Sequence, residues 1–363
     1  MKHSQLTISR SNLLHNYNFF RSKLFKSTKM LVMVKANAYG HGDVECSQLL
    51  EEFGADYLGV ALPGEGIKLK KYGINLPIII LTPGIDNFQE IFEYNLEPSI
   101  TDPEALISLE ETINKLNISR CKIHIKMDSG MNRFGFTFKE TDMIAGFINR
   151  NPNAEVVSFF SHLAAADNPR HDAFTLEQIT LFSLMCDDIQ KKIPYKPFRH
   201  ILNSVGTERF SSAQMDMVRI GVGMYGTSYV DETKLKPVAY LQAPLIHINR
   251  VSGGTVGYGR HGTVGENGSV IGIIPLGYAD GADRHLGRGA ASFMLNGKRV
   301  PTIGNICMDS TLLDITGVSA KVGDLVTLFG EEPTASEIAG ILKTITYEIF
   351  TSVHPRVVRV VGP

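Results

Sequence analysis

Residues 30–60, MLVMVKANAYGHGDVECSQLLEEFGADYLGV, decide the fold. An apolar run of strand length at 30–34 leads into a helix-like stretch at 43–53, and a second apolar run follows at 57–61. Runs that are apolar on both faces indicate strands covered on both sides, as in a parallel sheet. Strands that alternate with helices indicate βαβ units. The stretch therefore predicts one such unit, with Gly54 at the end of its helix.

The same alternation repeats along the first 230 residues or so. Further strands are predicted at 77–81, 97–100, 122–127, 155–161, 199–203 and 216–220, and further helices at 65–72, 86–95, 103–116, 138–150 and 175–192. Eight units in this length fit a (β/α)8 barrel of about 250 residues. An open doubly wound sheet is the alternative. Because no GxGxxG follows the first strand, we predict an α/β fold with an N-terminal TIM-type barrel.

The pattern changes after about residue 235. Strand-like runs at 237–251, 269–275, 291–295, 311–315 and 324–329 are separated by glycine-rich turns, and only 334–343 has helical periodicity. Asn296-Gly297 is a strong hairpin signal. We therefore predict a β-rich C-terminal domain. The polar stretch at 228–238 contains the boundary, so the barrel is assigned to residues 1–232 and the β-domain to 233–363.

Composition narrows the classes of function. The 363 residues carry 36 Lys plus Arg and 37 Asp plus Glu, a formal net charge of −1. This balance predicts neither a nucleic-acid partner nor a membrane partner. The four cysteines form no CxxC pair, so neither a zinc site nor a disulfide framework is expected. Free thiols and the lack of a signal-peptide core predict a cytoplasmic protein.

Three segments predict a site at the carboxyl ends of the strands, where barrels place their chemistry. Lys35 follows the first strand directly, and small residues come after it. The segment that starts at Asn203 and the one at 221–223 follow strands seven and eight, where barrels hold phosphate. Hydroxyl and backbone N–H donors there suit an anion. An amine opposite a phosphate site indicates pyridoxal phosphate. An ordinary strand-end lysine beside simple turns is the alternative.

The chain resembles the alanine racemases, pyridoxal-phosphate enzymes that interconvert L- and D-alanine. The order and spacing of many segments carry the resemblance along nearly the whole chain. They are VKANAYGHG at 34–42, KMDSGMNRFGF at 126–136, SHLAAAD at 161–167, HILNSVGT at 200–207, VRIGVGMYG at 218–226, GYGR at 257–260, GYADG at 277–281, ICMD at 306–309 and TYE at 346–348.

The resemblance implies a role for each matching residue. Lys35 is implied to bind the cofactor covalently and to be one of two catalytic bases. Tyr258 is implied to be the other base, supplied across a homodimer interface. Arg219 is implied to face the pyridine nitrogen, with His162 orienting it. Other implied cofactor contacts are Tyr39, Asn203, Ser204, Gly221, Val222 and Tyr347, and the implied substrate contacts are Arg133, Met308 and Tyr278.

The implied activity is two-base racemisation of alanine by a homodimer with shared active sites, which supplies D-alanine for peptidoglycan. Two positions bear on its details. Lys126 stands where some family members carry a carbamylated lysine. Asn305 stands where members often carry an arginine in the entry corridor.

Three other functions remain open. Asn305 motivates a racemase for serine or for a broader range of amino acids. A non-catalytic carrier of pyridoxal phosphate would resemble the barrel, but it would not need the second domain. A decarboxylase would be expected to place an acidic residue against the pyridine nitrogen, where this chain has Arg219.

Overall fold

The computed structural model describes residues 3–363. The described chain begins with a strand and a helix for which the sequence analysis gave no expectation, β1 (Gln5–Ser9) and α1 (Arg10–Lys23). The Ser9 hydroxyl accepts a hydrogen bond from the Asn12 N–H and so caps α1. Leu13, Tyr17 and Phe20 form the buried face of the helix, with the spacing that an amphipathic helix requires.

Eight parallel strands with intervening helices follow, as the sequence predicts. The strands are β2 (Lys29–Met33), β3 (Tyr57–Val60), β4 (Ile78–Ile80), β5 (Glu97–Ile100), β6 (Cys121–Lys126), β7 (Ala154–Phe160), β8 (Phe198–His200) and β9 (Met217–Ile220). The helical segments are α2 (Lys35–Tyr39), α3 (Asp43–Phe53), α4 (Pro63–Lys71), α5 (Phe88–Glu93), α6 (Pro103–Leu116), α7 (Thr141–Arg150), α8 (Asp172–Gln190) and α9 (Ser204–Arg209). All eight predicted strands and six predicted helices have a counterpart here.

The sheet closes into a barrel. Its strand order is β8-β7-β6-β5-β4-β3-β2-β9, so the last strand pairs with the first. Two backbone hydrogen bonds cross the remaining gap between β8 and β9: the Arg219 N–H donates to the Leu202 carbonyl at 2.9 Å, and the Asp216 N–H donates to the Arg199 carbonyl at 3.1 Å. The barrel prediction is therefore confirmed, and the open sheet was the wrong alternative.

Local sequence explains where several barrel helices begin and end. Asp102 caps α6 by accepting the Ala105 N–H at 2.9 Å, and Pro103 occupies the first helical position, where its missing N–H costs nothing. Gly54 ends α3 with a φ of 88°. That left-handed conformation is readily available to glycine.

The rest of the chain forms the predicted β-rich domain. Its elements are β10 (Ala239–Pro244), β11 (His247–Val251), β12 (Gly254–Val256), β13 (Gly262–Val264), β14 (Ser269–Ile274), β15 (Ser292–Leu295), β16 (Lys298–Pro301), β17 (Thr311–Asp314), β18 (Leu325–Phe329), α10 (Ala335–Leu342), α11 (Thr346–Thr351) and β19 (Val358–Gly362). Asn296 and Gly297 connect β15 to β16 with φ values of 48° and 75°, so the hairpin prediction is confirmed.

The first strand of the chain belongs to a sheet of this second domain. The six-stranded sheet has the order β16-β15-β18-β10-β1-β19. β1 runs antiparallel to β10 and parallel to β19. β1 therefore pairs with strands more than 230 residues away, and the other strands of this sheet lie outside the range 1–232. The division at 232 itself stays a prediction.

No helix within residues 3–363 is both long enough and apolar enough to cross a membrane.

We expect Leu6→Ala to destabilise the protein, because Leu6 is buried in β1 between β10 and β19. Loss of a buried leucine side chain costs about 2–5 kcal/mol of unfolding free energy. Urea unfolding followed by circular dichroism measures the effect. Thr7→Ala, at a half-exposed position of the same strand, is the matched control. Equal midpoints for the two variants would show that β1 is not part of the core.

Candidate active site

A single cavity of about 320 Å³ lies at the carboxyl ends of the barrel strands. Its size is that of a pocket for a small molecule. Tyr347 reaches it from α11, so the second domain forms part of its wall. The structure brings ten of the predicted residues together here: Lys35, Tyr39, Arg133, His162, Asn203, Ser204, Arg219, Gly221, Val222 and Tyr347.

The backbone after Lys35 is strained. Residues 36–39 form one left-handed turn, with φ values of 52°, 57°, 52° and 53° at Ala36, Asn37, Ala38 and Tyr39. The left-handed helical conformation costs an L-residue about 1–2 kcal/mol, and here four non-glycine residues adopt it in succession. Strain of this kind persists only where the surroundings over-determine it, and it clusters at functional sites.

Contacts from both domains hold this turn. One carboxylate oxygen of Glu65 accepts the Ala36 N–H at 2.6 Å, while its other oxygen accepts two N–H groups at the start of α4. From β19, the Arg359 guanidinium donates twice to the Gly40 carbonyl, at 3.1 and 2.9 Å. Gly40 itself packs on α11 so closely that a Cβ would lie 1.9 Å from the Phe350 carbonyl oxygen.

The cavity is strongly cationic. Lys35, Lys126, Arg133 and Arg219 line it, and no lining residue within 3–363 is Asp or Glu. Burial and the charge of Arg133 lower the pKa of Lys35. Burial and the charges of Arg219 and Arg133 lower the pKa of Lys126 to about 7. Both lysines therefore have a larger neutral fraction at neutral pH than a free lysine has, and the site favours an anionic ligand.

Arg219 is held by five acceptors, none of them a carboxylate. It is only 4% exposed. Its guanidinium donates to His200 Nδ1 at 2.8 Å, to His162 Nδ1 at 3.2 Å and to the carbonyls of Ser161, Ile201 and His200. Its Nε–H has no acceptor among residues 3–363, so one donor remains for a ligand in the cavity. Burial lowers the pKa of Arg219 to about 9, which leaves it protonated at neutral pH.

Phe160, which sequence reasoning missed, brings two of the cations together. Lys126 Nζ lies 4.8 Å from its ring centroid, and the Arg219 guanidinium carbon lies 5.5 Å away. The His200 ring stacks on it at 5.1 Å. An aromatic face attracts cations and so reduces the cost of placing two of them together. Its place at the end of β7 was the signal in the sequence that it lies near the site.

The two loops that were predicted to hold phosphate are tied to each other. Ser204 Oγ accepts the N–H groups of Gly221 and Gly223 at 2.9 and 3.3 Å, so the hydroxyl hydrogen is free to be donated. Asn203 Oδ1 caps α9 by accepting the Gly206 N–H at 2.8 Å. The side chain of Asn203 thus starts the helix that presents Ser204 to the cavity.

Three predicted residues do not line this cavity. Tyr258, Met308 and Tyr278 are 74%, 55% and 44% exposed. Tyr278 lines a separate cavity of about 950 Å³ in the second domain. Within this chain, the structure therefore does not bring the predicted second base to Lys35.

Asn305 supports the loop that carries Tyr258. It is buried, its amide donates to the Tyr258 carbonyl at 2.9 Å, and its carbonyl oxygen accepts from Arg288 Nε at 2.7 Å. The family resemblance implies that this position lies in the entry corridor. In the structure, Asn305 also links the loop that carries Tyr258 to the guanidinium of Arg288.

Comparison with known families covers almost the whole chain. The family model described as "Alanine racemase, N-terminal domain" matches residues 8–229. The one described as "Alanine racemase, C-terminal domain" matches residues 238–361. The alanine racemase of Clostridium kluyveri is 36% identical over 96% of this chain and 92% of its own. That of Synechocystis is 34% identical over 97% of both.

Solved structures show the same similarity. An alanine racemase from Clostridium difficile superposes with a TM-score of 0.92 at 31% identity, over 98% of this chain and 94% of its own. One from Streptomyces lavendulae has a TM-score of 0.92 at 28% identity, over 100% and 98%.

We expect Gly221→Ala to weaken binding of the pyridoxal phosphate that the sequence predicts for this cavity. A Cβ at this position would lie 2.7 Å from the Tyr39 hydroxyl and would push that ring from the cavity wall. We expect the affinity to fall about tenfold, which corresponds to about 1.4 kcal/mol. Absorption titration of the cofactor-free protein measures it. Gly340→Ala in α10 is the control, since a Cβ there meets nothing within 4 Å. Equal affinities in the two variants would contradict this assignment of the cavity wall.

Proposed function

This chain belongs to the alanine racemase family, and we propose that it interconverts L- and D-alanine with pyridoxal phosphate bound by Lys35. The observation that carries the proposal is the cavity at the strand ends, where a lysine of lowered pKa stands among three further cations. Family members supply D-alanine for peptidoglycan, and we assign that role to this chain.

The residues that line the cavity fit this cofactor. The Ser204 hydroxyl, the hydroxyls of Tyr39 and Tyr347 and the backbone at Gly221 would bind the phosphate. The free Nε–H of Arg219 would face the ring nitrogen. Pyridoxal phosphate, when bound, withdraws electrons from the α-carbon of an amino acid and makes its α-hydrogen acidic. Arg133 would bind the carboxylate of the substrate.

Lys35 is the base on one face of the substrate. A free lysine titrates near 10.4 and is almost fully protonated at neutral pH. Burial and Arg133 shift the pKa of Lys35 downward, so more of its amine is neutral and able to accept a proton. The strained turn behind it fixes where that amine enters the cavity.

A second base is needed on the opposite face, and the tyrosines and the histidine that line the cavity of one chain are poor choices. Burial raises the pKa of both Tyr39 and Tyr347, so their hydroxyls are weaker acids than a free tyrosine and are seldom ionised. His162 already accepts a hydrogen bond from Arg219. We therefore assign the role to Tyr258 of a second subunit, and its exposed position on the Asn305-supported loop is compatible with that assignment.

Arg219 favours racemisation over side reactions. A guanidinium that stays protonated cannot pass a proton to the ring nitrogen of the cofactor. Arg219 would therefore support weaker electron withdrawal by the ring than a carboxylic acid at this position would support. Transamination and decarboxylation depend on that stronger withdrawal, so the proposed racemase is favoured over both.

We assign the enzyme to the cytoplasm. Its four cysteines are free thiols in the structure, and Cys46, Cys121 and Cys186 are buried. Free thiols of this kind are typical of a reducing compartment.

Exchange of the α-hydrogen tests the two-base assignment. We incubate the cofactor-loaded enzyme with L-alanine in deuterated water, follow exchange by NMR and measure D-alanine by chiral separation, with L-serine and L-lysine in parallel. The wild-type enzyme is expected to form deuterated D-alanine. Tyr258→Phe should retain the cofactor and lose about 10²–10⁴-fold of its turnover. Full turnover in this variant would contradict the role of Tyr258, and faster turnover of serine or lysine would contradict the assigned substrate.

Mixed dimers test whether the active sites are shared. Lys35→Ala and Tyr258→Phe homodimers should each be nearly inactive. A heterodimer of the two contains one site with both Lys35 and Tyr258 and one site with neither. Random re-association should therefore restore about a quarter of wild-type activity. Mixtures that stay inactive, although sedimentation shows exchange of subunits, would place both bases in one chain.

A further inference from the structure

A row of hydrogen-bonded polar side chains crosses the interior of the barrel. Arg219 donates to His200 Nδ1 at 2.8 Å, and His200 Nε2 lies 2.8 Å from Ser158 Oγ. Ser158 Oγ lies 2.6 Å from His124 Nδ1, and His124 Nε2 lies 2.8 Å from a carboxylate oxygen of Glu97. The three middle residues are 0% exposed. Barrel interiors are usually packed with branched apolar side chains, so a continuous polar row needs an explanation.

The row joins the active site to the opposite end of the barrel. His200 ends β8 and lies near the cavity, whereas Glu97 is the first residue of β5. In a parallel barrel, the first residues of strands lie at the face remote from the chemistry. Lys122 Nζ lies 3.6 Å from Glu97 at that remote face. The charged groups that face the row are thus Arg219 and Lys126 at one end and Glu97 and Lys122 at the other.

With both imidazoles neutral, one set of proton positions satisfies every link. A guanidinium has no acceptor, so His200 Nδ1 must accept and its proton must sit on Nε2. That N–H donates to Ser158, whose hydroxyl hydrogen then points to His124 Nδ1. The remaining proton of His124 sits on Nε2 and is donated to Glu97. The row therefore runs from a cation to an anion through two neutral imidazoles.

The electrostatics agree with this arrangement. Burial and the charge of Arg219 hold the pKa of His200 well below its ordinary value, so the ring is neutral. Burial by itself would raise the pKa of Glu97, but the hydrogen bond from His124 and the charge of Lys122 oppose burial, and the pKa is lowered. Arg219 has no carboxylate partner of its own among residues 3–363, so Glu97 is the anion to which its hydrogen bonds lead. Such chains polarise one another and gain strength cooperatively.

We propose that Glu97 is a positioning residue for Arg219: its carboxylate anchors the far end of the row and so fixes the orientation of the His200 ring, whose Nδ1 holds the guanidinium with one N–H free for the cofactor. The inference rests on the proposed function, since it is the pyridine nitrogen that would accept this N–H. It adds that the orientation of Arg219 is fixed from the far end of the barrel, through residues that would touch neither the substrate nor the cofactor.

Histidine ring NMR tests the direction of the row on the protein without cofactor. In wild-type protein labelled with ¹⁵N-histidine at pH 7, we expect His200 and His124 to be neutral, each with its proton on Nε2. A His200→Gln variant assigns the His200 signals, and a His124→Gln variant assigns those of His124. A proton on His200 Nδ1, or a charged ring at either position, would overturn the proposal. The protonation states are measured on the wild-type protein, and the two variants serve only to assign its signals.

Two buried serines separate a positioning role from a structural one. Ser158→Ala cuts the row, whereas Ser99→Ala removes an equally buried hydroxyl on β5 that donates only to the Leu81 carbonyl. We expect Ser158→Ala to lower kcat about tenfold relative to Ser99→Ala with an unchanged KM for alanine, and to shift the absorption band of bound pyridoxal phosphate. Values of kcat within about twofold of each other, with identical spectra, would make the row purely structural.

Charge at Glu97 provides the second comparison. Glu97→Gln keeps an acceptor but loses the anion, and it should change kcat and the cofactor spectrum in the same direction as Ser158→Ala. Glu97→Asp restores the charge and should recover most of both. A Gln variant indistinguishable from wild type would overturn the role of the carboxylate. A wild-type enzyme that does not racemise alanine would instead refute the proposed function, and the NMR result would still decide the direction of the row.

Discussion

The left-handed turn behind Lys35 is the constraint on which the arrangement of this molecule depends. At about 1–2 kcal/mol for each of four residues, the turn would not survive in an isolated barrel loop. Glu65 holds it from the barrel, and Arg359 holds it from the last strand of the second domain. The position of the Lys35 amine is therefore a property of both domains together. The first and last strands of the described residues take part in this support, since β1 pairs with β19 and β19 carries Arg359.

The second constraint is the accumulation of positive charge. Four cationic side chains line one cavity that has no acidic residue in its described wall. Three physical devices make this tolerable. Neutral acceptors surround Arg219, the face of Phe160 receives two cations, and desolvation shifts both lysines toward their neutral forms. A bound dianionic phosphate would lower the remaining repulsion, so the cavity is best matched to the state with cofactor. The row that ends at Glu97 connects Arg219 to an anion of the barrel through hydrogen bonds.

Much of the fold could be predicted from the sequence, because its signals are local. α3 and α6 were predicted with the bounds that the structure has, since caps and apolar spacing mark both of them. β1 was missed because its partners lie at the other end of the chain, although the alternation of Gln5, Leu6, Thr7 and Ile8 was a usable signal. From the sequence, only the small residues that follow Lys35 were noticeable. The left-handed turn at 36–39 could not be predicted from four residues that are not glycine, because only distant contacts impose it.

The candidate site shows the same division between local signals, which the sequence displays, and distant contacts, which it does not. Motifs placed ten residues at one cavity, because all of them except Tyr347 stand at or after the end of a barrel strand, and parallel strands end on one face. The supporting residues were harder to find. Glu97, His124, Ser158 and His200 stand on different strands and carry no shared motif, and only their polarity within apolar runs distinguishes them. Their relation is three-dimensional, since barrel closure is what brings β5, β6, β7 and β8 into one interior.

Separation of the two bases follows from the chemistry of racemisation. Opposite faces of one carbon must each meet a proton donor and acceptor, and the two groups must not exchange protons directly with each other. A half-buried lysine fixed by the strained turn that follows it and an exposed tyrosine on a braced loop meet this requirement if they belong to different subunits. In the proposed mechanism, a lone chain would bind the cofactor and could remove a proton from one face. It would lack the group that returns the proton to the other face. The chain would therefore have to dimerise before it could racemise its substrate.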